Sequence, residues 1–167
     1  LSRNDPTRLE RFRREAELTA QLVHPGIVRL HETGTAFGSP FLVCELVPGA
    51  ESLEDAFRVR ELRQRVRLVR DAARALGYAH AQGVVHRDIK ASNVLIDGHG
   101  QLKLLDFGIA KLRDGDAGSV ETQAGTPIGT LKYMAPEQAR GDQELDERCD
   151  VYALGAILYE ALCGQPV

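Results

Sequence analysis

The chain has 167 residues, of which 43% are hydrophobic and 27% are charged, and its formal net charge is −3 at pH 7. This composition is that of an ordinary globular domain, and the charge balance indicates neither a nucleic-acid-binding nor a membrane-binding protein overall. The three cysteines lack the spacing of a disulfide framework or a zinc site, which favours a reducing compartment. Arginine is concentrated in residues 1–14 and 58–74, two stretches that we interpret as solvated helix faces.

The first part of the chain predicts one helix followed by two strands. Asp5 and Pro6 suit the N-cap and first turn of a helix, which the HPG sequence at 24–26 ends. Two strand-like runs, IVRLHETG and PFLVCELV, flank a turn region at 34–40 and predict an antiparallel pair. The predicted buried face of the helix repeats at helical spacing and consists of Leu9, Phe12, Ala16, Thr19 and Val23.

The middle of the chain predicts two helices and a β-hairpin. Ser52 opens a short helix over SLEDAFRV, and a longer helix runs from about Glu61 to Gln82, where Gly83 stops it. Two strands, NVLID and QLKLLDF, are joined by DGHG at 97–100, a sequence typical of a hairpin turn. The predicted buried face of the longer helix consists of Leu62, Val66, Val69, Ala73, Leu76 and Ala79.

The last part of the chain predicts a long loop and an apolar helix. Residues 113–130 are rich in Gly, Ser and Thr and lack periodicity, and long loops in compact domains are usually functional or mobile. The run VYALGAILYEALCG is apolar on nearly all sides, which predicts a buried central helix. No run is long and apolar enough to predict a membrane-spanning helix.

Four ordered motifs carry a resemblance to a known family. They are HRDIKASN at 86–93, DFG at 106–108, GTLKYMAPE at 129–137 and DVYALG at 150–155. With them the chain resembles the eukaryotic-type (Hanks-type) protein kinases over essentially all its residues, and most closely the serine/threonine kinases. The residue patterns of FRREAE and YMAPEQARG are similar to those of bacterial members of the family.

The resemblance implies an α+β, protein-kinase-like fold. Residues 1–47 would be a remnant of the small lobe and hinge, with one helix and two strands, and residues 48–167 an incomplete, mostly helical large lobe. The implied activity is ATP-dependent phosphorylation of Ser or Thr in protein substrates, with ATP and Mg²⁺ or Mn²⁺ as cofactors. We expect a cytoplasmic signalling domain with no nucleic-acid partner and no membrane segment in this chain. Autophosphorylation in trans and a membrane anchor elsewhere in a parent chain stay open.

The HRDIKASN motif implies the catalytic set Asp88, Lys90 and Asn93. Asp88 matches the aspartate that orients the substrate hydroxyl and accepts its proton. Lys90 would offset the charge of the transferring γ-phosphate. His86 is expected to be a packing residue rather than a catalyst, and Asp150 would tie the apolar helix back to this loop.

The same resemblance implies the residues that bind nucleotide and metal. Asn93 and Asp106 would supply the hard oxygen ligands that Mg²⁺ between phosphates requires. Glu45 and Val47 would lie in the hinge, where backbone groups hydrogen-bond to adenine. Leu95 would pack beneath the adenine ring.

Five further residues match regulatory positions of the family. Arg87 would receive a phosphate from the long loop, for which Thr122 and Thr126 are the candidate sites. Thr130 resembles the threonine that contacts the catalytic Asp and Lys and helps seat the substrate. Glu15 matches the helix glutamate that pairs with the nucleotide-binding lysine.

The chain departs from the family pattern before its first helix. The Gly-rich loop and strand lysine expected there are absent, and all four lysines of the chain follow Glu15. We therefore expect an internal piece of a longer active kinase, impaired in isolation and with apolar surface exposed on the helix at 148–163. The alternative is a non-catalytic, pseudokinase-like binding module, against which the retained Asp88, Asn93 and Asp106 argue. A small-molecule phosphotransferase of the aminoglycoside-kinase type is a third reading, which GTLKYMAPE disfavours.

Overall fold

The computed structural model describes residues 6–36, 39–105, 107, 131–142 and 145–165, with the backbone alone for 6–9 and 11–13. The described elements are helices and strands that pair only antiparallel within their sheets, which agrees with the predicted α+β class. In chain order the elements are α1 (Pro6–Ala20), β1 (Leu30–Ala36), β2 (Ser39–Cys44), β3 (Glu51–Ser52), α2 (Leu53–Val59), α3 (Leu62–Ala81), a 3-10 turn (Ala91–Asn93), β4 (Val94–Ile96), β5 (Leu102–Leu104), α4 (Pro136–Ala139) and α5 (Arg148–Cys163).

The first described region consists of α1 and the β1–β2 pair. The two strands are antiparallel, with Leu30 opposite Cys44, as the sequence predicts. A small apolar cluster of Ala16 and Leu30, with Leu42 packed against it, joins the helix to this pair. The region therefore has little apolar burial of its own.

The predicted buried face of α1 is correct in part. Ala16 and Thr19 are buried, but Val23 is 66% exposed and Leu22 is buried in its place. The cause is that α1 ends at Ala20, so helical spacing no longer governs the residues that follow. Leu9 and Phe12 lie outside the described side chains.

A three-stranded antiparallel sheet has β4 at its centre. Val94 faces Leu104 on β5, and the predicted hairpin turn is closed by Asp97, whose carboxylate accepts bonds from His99 N and Gln101 N. On the other side β4 pairs with the two-residue β3. The sequence does not predict β3, because two residues are too short to show a period.

The helices α2 and α3 form as predicted, but the buried face of α3 matches the prediction only at Val69, Leu76 and Ala79. Ser52 caps α2, and its hydroxyl accepts a bond from Asp55 N at 3.1 Å. Leu62, Val66 and Ala73, predicted to be buried, are exposed, because α5 and β5 pack on a face rotated away from them. The buried side chains of α3 are Leu68, Val69, Ala72, Ala75, Leu76 and Ala79.

The main core lies where α3, β4, β5 and α5 meet. Ile157 of α5 and Ile96 of β4 are fully buried in it. Only one side of α5 is buried, so the prediction of a helix buried all round is wrong, whereas exposed apolar surface on it was expected. No helix within the described ranges is both long and apolar enough to cross a membrane. The exposed apolar side chains of α5 are Val151, Tyr152, Leu158, Tyr159 and Leu162.

Candidate functional site

The loop between α3 and β4 is hydrogen-bonded on its core side to the buried carboxylate of Asp150 on α5. This carboxylate accepts hydrogen bonds from His86 N at 2.8 Å and from Arg87 N at 2.7 Å. His80 Nε2 on α3 lies 2.8 Å from the same carboxylate. Because Asp150 is almost completely buried, these donors replace the water it gives up on folding. The predicted tie between the apolar helix and the loop is confirmed.

His86 is a fully buried part of this framework. Its Nε2 lies 2.7 Å from the Leu105 carbonyl oxygen, and its Nδ1 lies 3.3 Å from the backbone N of Asp88. Burial lowers the pKa of His86, which favours the neutral ring with Nε2 as donor and Nδ1 as acceptor. The ring centroid lies 4.6 Å from that of Phe107. His86 therefore packs in the core, as the sequence predicts, and it also orients the backbone at Asp88, which the sequence does not predict.

Arg87 has a left-handed backbone with φ of 63°. A residue with a side chain pays about 1–2 kcal/mol for this conformation. The backbone is held on both sides, since Asp150 accepts from its N–H and Gln138 Nε2 donates to its carbonyl at 2.8 Å. The chain therefore turns at Arg87, between the buried His86 and the partly exposed Asp88, and the two bonds to the Arg87 backbone fix this turn.

Three predicted residues of the loop come together around one carboxylate. Lys90 Nζ lies 3.2 Å from Asp88 Oδ2, and Asn93 Nδ2 donates to the same oxygen at 3.2 Å. Asn93 Nδ2 also lies 3.0 Å from the Asp88 carbonyl oxygen, so the 3-10 turn bends back over Asp88. The side chains of Asp88 and Lys90 are 17% and 24% exposed, so the cluster lies partly at the surface rather than in the core.

The metal-binding prediction can be examined at Asn93 but not at Asp106, which lies outside the described residues. Within the described residues no donor reaches Asn93 Oδ1, so this hard oxygen is available next to Asp88. No group of three His, Cys, Asp or Glu side chains that could hold a metal occurs in the described part of the chain. The amide oxygen suits Mg²⁺, which takes few protein ligands and completes its shell with phosphate and water oxygens.

At the predicted hinge, the Glu45 side chain makes contacts that the sequence does not reveal. Its Oε1 lies 2.5 Å from Lys103 Nζ on β5, and its Oε2 accepts from Arg29 N at 3.2 Å. The Lys103 ammonium lowers the pKa of the Glu45 carboxyl group. A cavity of about 220 Å³ lies beside this pair, lined on its apolar side by Leu22, Val23, Pro25 and Ile27.

The backbone of the predicted hinge leaves two polar groups open. Glu45 N donates to Arg29 O at 2.8 Å, but within the described residues the Glu45 carbonyl and the Val47 N–H have no hydrogen-bond partner. Leu95 on β4 is half-buried, whereas its neighbours Val94 and Ile96 are fully buried on the opposite face. The chain thus presents an acceptor, a donor and a partly exposed leucine at the positions predicted to bind adenine.

Glu15 of α1 forms an ion pair with Arg87, at 3.1 Å between Oε1 and NH1. The side chains are 33% and 40% exposed, respectively. The family resemblance implies other partners for both: a phosphate for Arg87 and, for Glu15, a strand lysine ahead of α1, which this sequence does not contain. Because the two residues are 72 positions apart and on unconnected motifs, no local pattern signals this contact.

A second buried polar group lies close to the loop. The Tyr133 hydroxyl donates to Glu160 Oε2 at 2.6 Å, and Lys132 Nζ lies 3.7 Å from Glu160 Oε1. Burial raises the pKa of Tyr133, so its phenol stays protonated and keeps donating. Tyr133 and Asp88 line the same small cavity of about 10 Å³. Tyr133 lies within the GTLKYMAPE motif, but no sequence pattern indicates its partner on α5.

The remaining predicted site residues lie outside the described part of the chain. They are the second metal ligand, the two candidate phosphorylation sites and the threonine expected to seat the substrate, namely Asp106, Thr122, Thr126 and Thr130.

Bacterial serine/threonine kinases are among the known proteins similar to this chain. The serine/threonine-protein kinase PknB of Mycobacterium leprae is 44% identical over 169 residues, which cover 97% of this chain and 26% of that protein. PknB of Mycobacterium tuberculosis is 41% identical, again over 97% of this chain and 26% of that protein. A probable serine/threonine-protein kinase of Streptomyces coelicolor is 42% identical over 97% of this chain and 25% of its own length. The chain thus spans about a quarter of the length of these relatives.

A solved structure and a family match agree with these relatives. The crystal structure of the Mycobacterium tuberculosis PknI kinase domain superposes with a TM-score of 0.75 at 28% identity, covering 98% of this chain and 60% of that one. This similarity confirms the protein-kinase-like fold, with a partial small lobe and the first part of the helical large lobe. The protein kinase domain family matches residues 1–167. The chain therefore belongs to the protein kinase domain family.

Proposed function

We propose that the protein carrying this chain transfers the γ-phosphoryl group of ATP to Ser or Thr hydroxyls of protein substrates. The observation that supports this most is the Asp88 carboxylate, approached at 3.2 Å by both the Lys90 ammonium and the Asn93 amide. Its backbone is fixed by His86. Phosphoryl transfer depends mainly on positioning and charge stabilisation, and this arrangement offers both.

In this proposal each loop residue acts on a stated atom. Asp88 accepts a hydrogen bond from the substrate hydroxyl and takes its proton as the oxygen–phosphorus bond forms. Lys90 leaves Asp88 for an oxygen of the transferring phosphoryl group, whose charge it offsets. Asn93 Oδ1 and the Asp106 carboxylate would hold Mg²⁺, which supplies charge neutralisation at the phosphates when it is bound.

The nucleotide would be held at the hinge by backbone groups. The Glu45 carbonyl would accept a hydrogen bond from adenine, the Val47 N–H would donate one, and Leu95 would pack against the ring. The two unpartnered backbone groups support this assignment within the described residues. The two bonds that the Glu45 side chain accepts, from Lys103 Nζ and from Arg29 N, would keep this carbonyl in place.

Regulation would act through Arg87. A phosphate on Thr122 or Thr126 carries close to two negative charges and makes stronger bonds to a guanidinium than a carboxylate does. It would therefore compete with Glu15 for Arg87, to which Glu15 is bound at 3.1 Å. Thr130 would seat the substrate beside Asp88 rather than serve as the main activating site. Phosphate mapped by mass spectrometry only outside 119–126 in active protein would contradict the assignment of Thr122 and Thr126.

The wider setting of the proposal follows the family. Residues 1–47 would belong to the small lobe and hinge, and residues 48–167 to the large lobe. Substrates would be cytoplasmic proteins, and autophosphorylation would occur in trans. Residues 1–167 expressed alone would be impaired, because phosphate contacts from a Gly-rich loop and a strand lysine contribute several kcal/mol to transition-state stabilisation.

The test is phosphate transfer from labelled ATP with Mg²⁺ to a protein substrate, using the full natural chain. Asp88→Asn should lower kcat by about 10²–10⁴-fold, because the proton acceptor is lost. The exposed Asp142→Asn removes a carboxylate of the same kind and should leave kcat unchanged. Full activity in Asp88→Asn would refute the proposal. ATP binding without any transfer would point to a binding module instead, and transfer to small molecules only would point to another phosphotransferase.

A further inference from the structure

A line of four arginines runs along the outer side of α3. Arg63, Arg67, Arg70 and Arg74 are spaced by four, three and four residues and are all exposed. At about 100° per residue they fall within an arc of about 60°, opposite the buried face of the helix. We call this line the basic crest; it extends for about 16 Å along the helix axis.

The charge of the basic crest is only partly compensated. Asp71 lies 2.8 Å from Arg70 and 3.7 Å from Arg74 and serves both. Within the described residues, no carboxylate forms an ion pair with Arg63 or Arg67. The crest is therefore a local excess of positive charge in a chain whose net charge is −3.

Exposed apolar side chains flank the basic crest on one side. Leu62 is 51% exposed and Val66 is 38% exposed, and both lie on the exposed half of α3 next to Arg63 and Arg67. Val59, at the end of α2, is 78% exposed just before them. Arginines beside exposed aliphatic residues are the combination with which interfacial helices bind anionic bilayers.

We propose that the basic crest docks the protein on a membrane surface that contains anionic lipids. The four arginines lie on the ridge of a convex helix, so a single plane touches all of them at once. An acidic peptide would have to lie along this ridge without the groove that peptide-binding helix surfaces provide. Lipid phosphates would pair with the guanidinium groups, while Leu62 and Val66 reach the boundary between head groups and acyl chains.

This docking is independent of the proposed phosphotransfer, because the bonds described above between Asp88, Lys90 and Asn93 involve no residue of the crest. It also revises the interpretation of the arginine-rich stretch as a merely solvated helix face. An arginine close to an anionic membrane contributes about fivefold to binding, so losing two should weaken it by on the order of 20-fold.

The experiment measures binding of the full natural chain to phosphatidylcholine vesicles with and without about one third phosphatidylserine. Arg63→Gln/Arg67→Gln should weaken binding to the anionic vesicles by about 20-fold. The matched control is Arg140→Gln/Arg148→Gln, which makes the same change in net charge elsewhere on the surface and should change binding less than about twofold. Asp71→Asn removes the compensating carboxylate and should strengthen binding. Because a misfolded protein would not gain binding, this variant separates an effect of charge from an effect of misfolding.

Several results would overturn the proposal. One is equal binding of the wild type to both kinds of vesicle. Another is an equal loss of vesicle binding in the crest and control variants, which would show that binding depends on net charge and not on the crest. Crest-dependent binding to soluble polyglutamate without binding to anionic vesicles would assign the surface to an acidic protein instead. Phosphate transfer to a soluble substrate should be the same in wild type and in Arg63→Gln/Arg67→Gln, so failure of the proposed function and failure of docking are distinguishable.

Discussion

The loop around Asp88 and the region of α1, β1 and β2 are built in different ways. The loop lies on the main core and is bonded to the buried Asp150 carboxylate. The α1–β1–β2 region has only a small apolar cluster and reaches the loop through the partly exposed pair of Glu15 and Arg87. The geometry of Asp88 is thus set by burial beneath it, whereas the position of Glu15 is set by a few weaker contacts.

The largest expected effect is removal of the carboxylate beneath the loop. Asp150→Ala leaves His86 N, Arg87 N and His80 without their acceptor and should lower the free energy of unfolding by about 4 kcal/mol. Urea denaturation measures this change. Asp142→Ala, an exposed carboxylate in an ion pair, serves as the control and should cost less than about 1 kcal/mol. Similar small costs for both variants would remove the basis of the comparison.

Matched truncations in the two regions come next in size. Ile96→Ala opens a cavity in the main core and should cost about 3 kcal/mol, because Ile96 is fully buried. Leu42→Ala, in the partly buried cluster beside α1, should cost about 1 kcal/mol. Denaturation midpoints of the two variants, compared at equal m-values, test this difference. Equal costs would show that α1, β1 and β2 are as firmly packed as the main core on which the loop lies.

The pair of Glu45 and Lys103 should give a smaller, pH-dependent effect. The pKa of Glu45 is lowered in the folded state, so the pair stabilises above the unfolded pKa of about 4.3 and is lost as pH falls through the lowered value. Lys103→Met should therefore cost about 1 kcal/mol at pH 7. The difference from wild type should shrink below about pH 4. Denaturation curves of wild type and Lys103→Met at pH 7 and below about pH 4 provide the measurement. If the cost of the substitution is the same at the two pH values, it comes from lost packing and not from the ion pair.

The smallest expected effect concerns the contact between the two regions. The Glu15–Arg87 pair is partly exposed, so a double-mutant cycle with Glu15→Gln and Arg87→Gln should give a coupling energy below about 1 kcal/mol. High salt should reduce it further, because the pair is open to solvent. A coupling energy of several kcal/mol would mean that this pair anchors α1 firmly, and it would contradict the claim that α1 is held by weaker contacts than the loop.

Local sequence patterns predict most elements of this chain and the clustering of Asp88, Lys90 and Asn93. These three residues lie within one short loop, so the motif itself fixes their proximity. Ser52 could be identified as a cap because capping is a local interaction. The fold class followed from the order of the motifs rather than from any single element.

Contacts between distant segments could not be predicted in the same way. Helical periodicity places the apolar residues Leu62 and Val66 on one face of α3, but it does not show which face of the helix another element will cover. The pairing of Glu45 with Lys103 depends on where β5 lies relative to the hinge, and the pairing of Glu15 with Arg87 depends on the tilt of α1. These are tertiary arrangements, for which a charged side chain in a sequence has many equivalent partners.

Hydrogen exchange of backbone amides tests the central comparison most directly. The amides of His86 and Arg87 donate to buried Asp150, so they should exchange only when the whole domain unfolds. The amides of β2, in a two-stranded sheet with little apolar cover, should exchange by local opening at least about 100-fold faster. Exchange of His86 and Arg87 at the rate of β2 would contradict the claim that the core beneath the loop, and not α1, holds Asp88 in place.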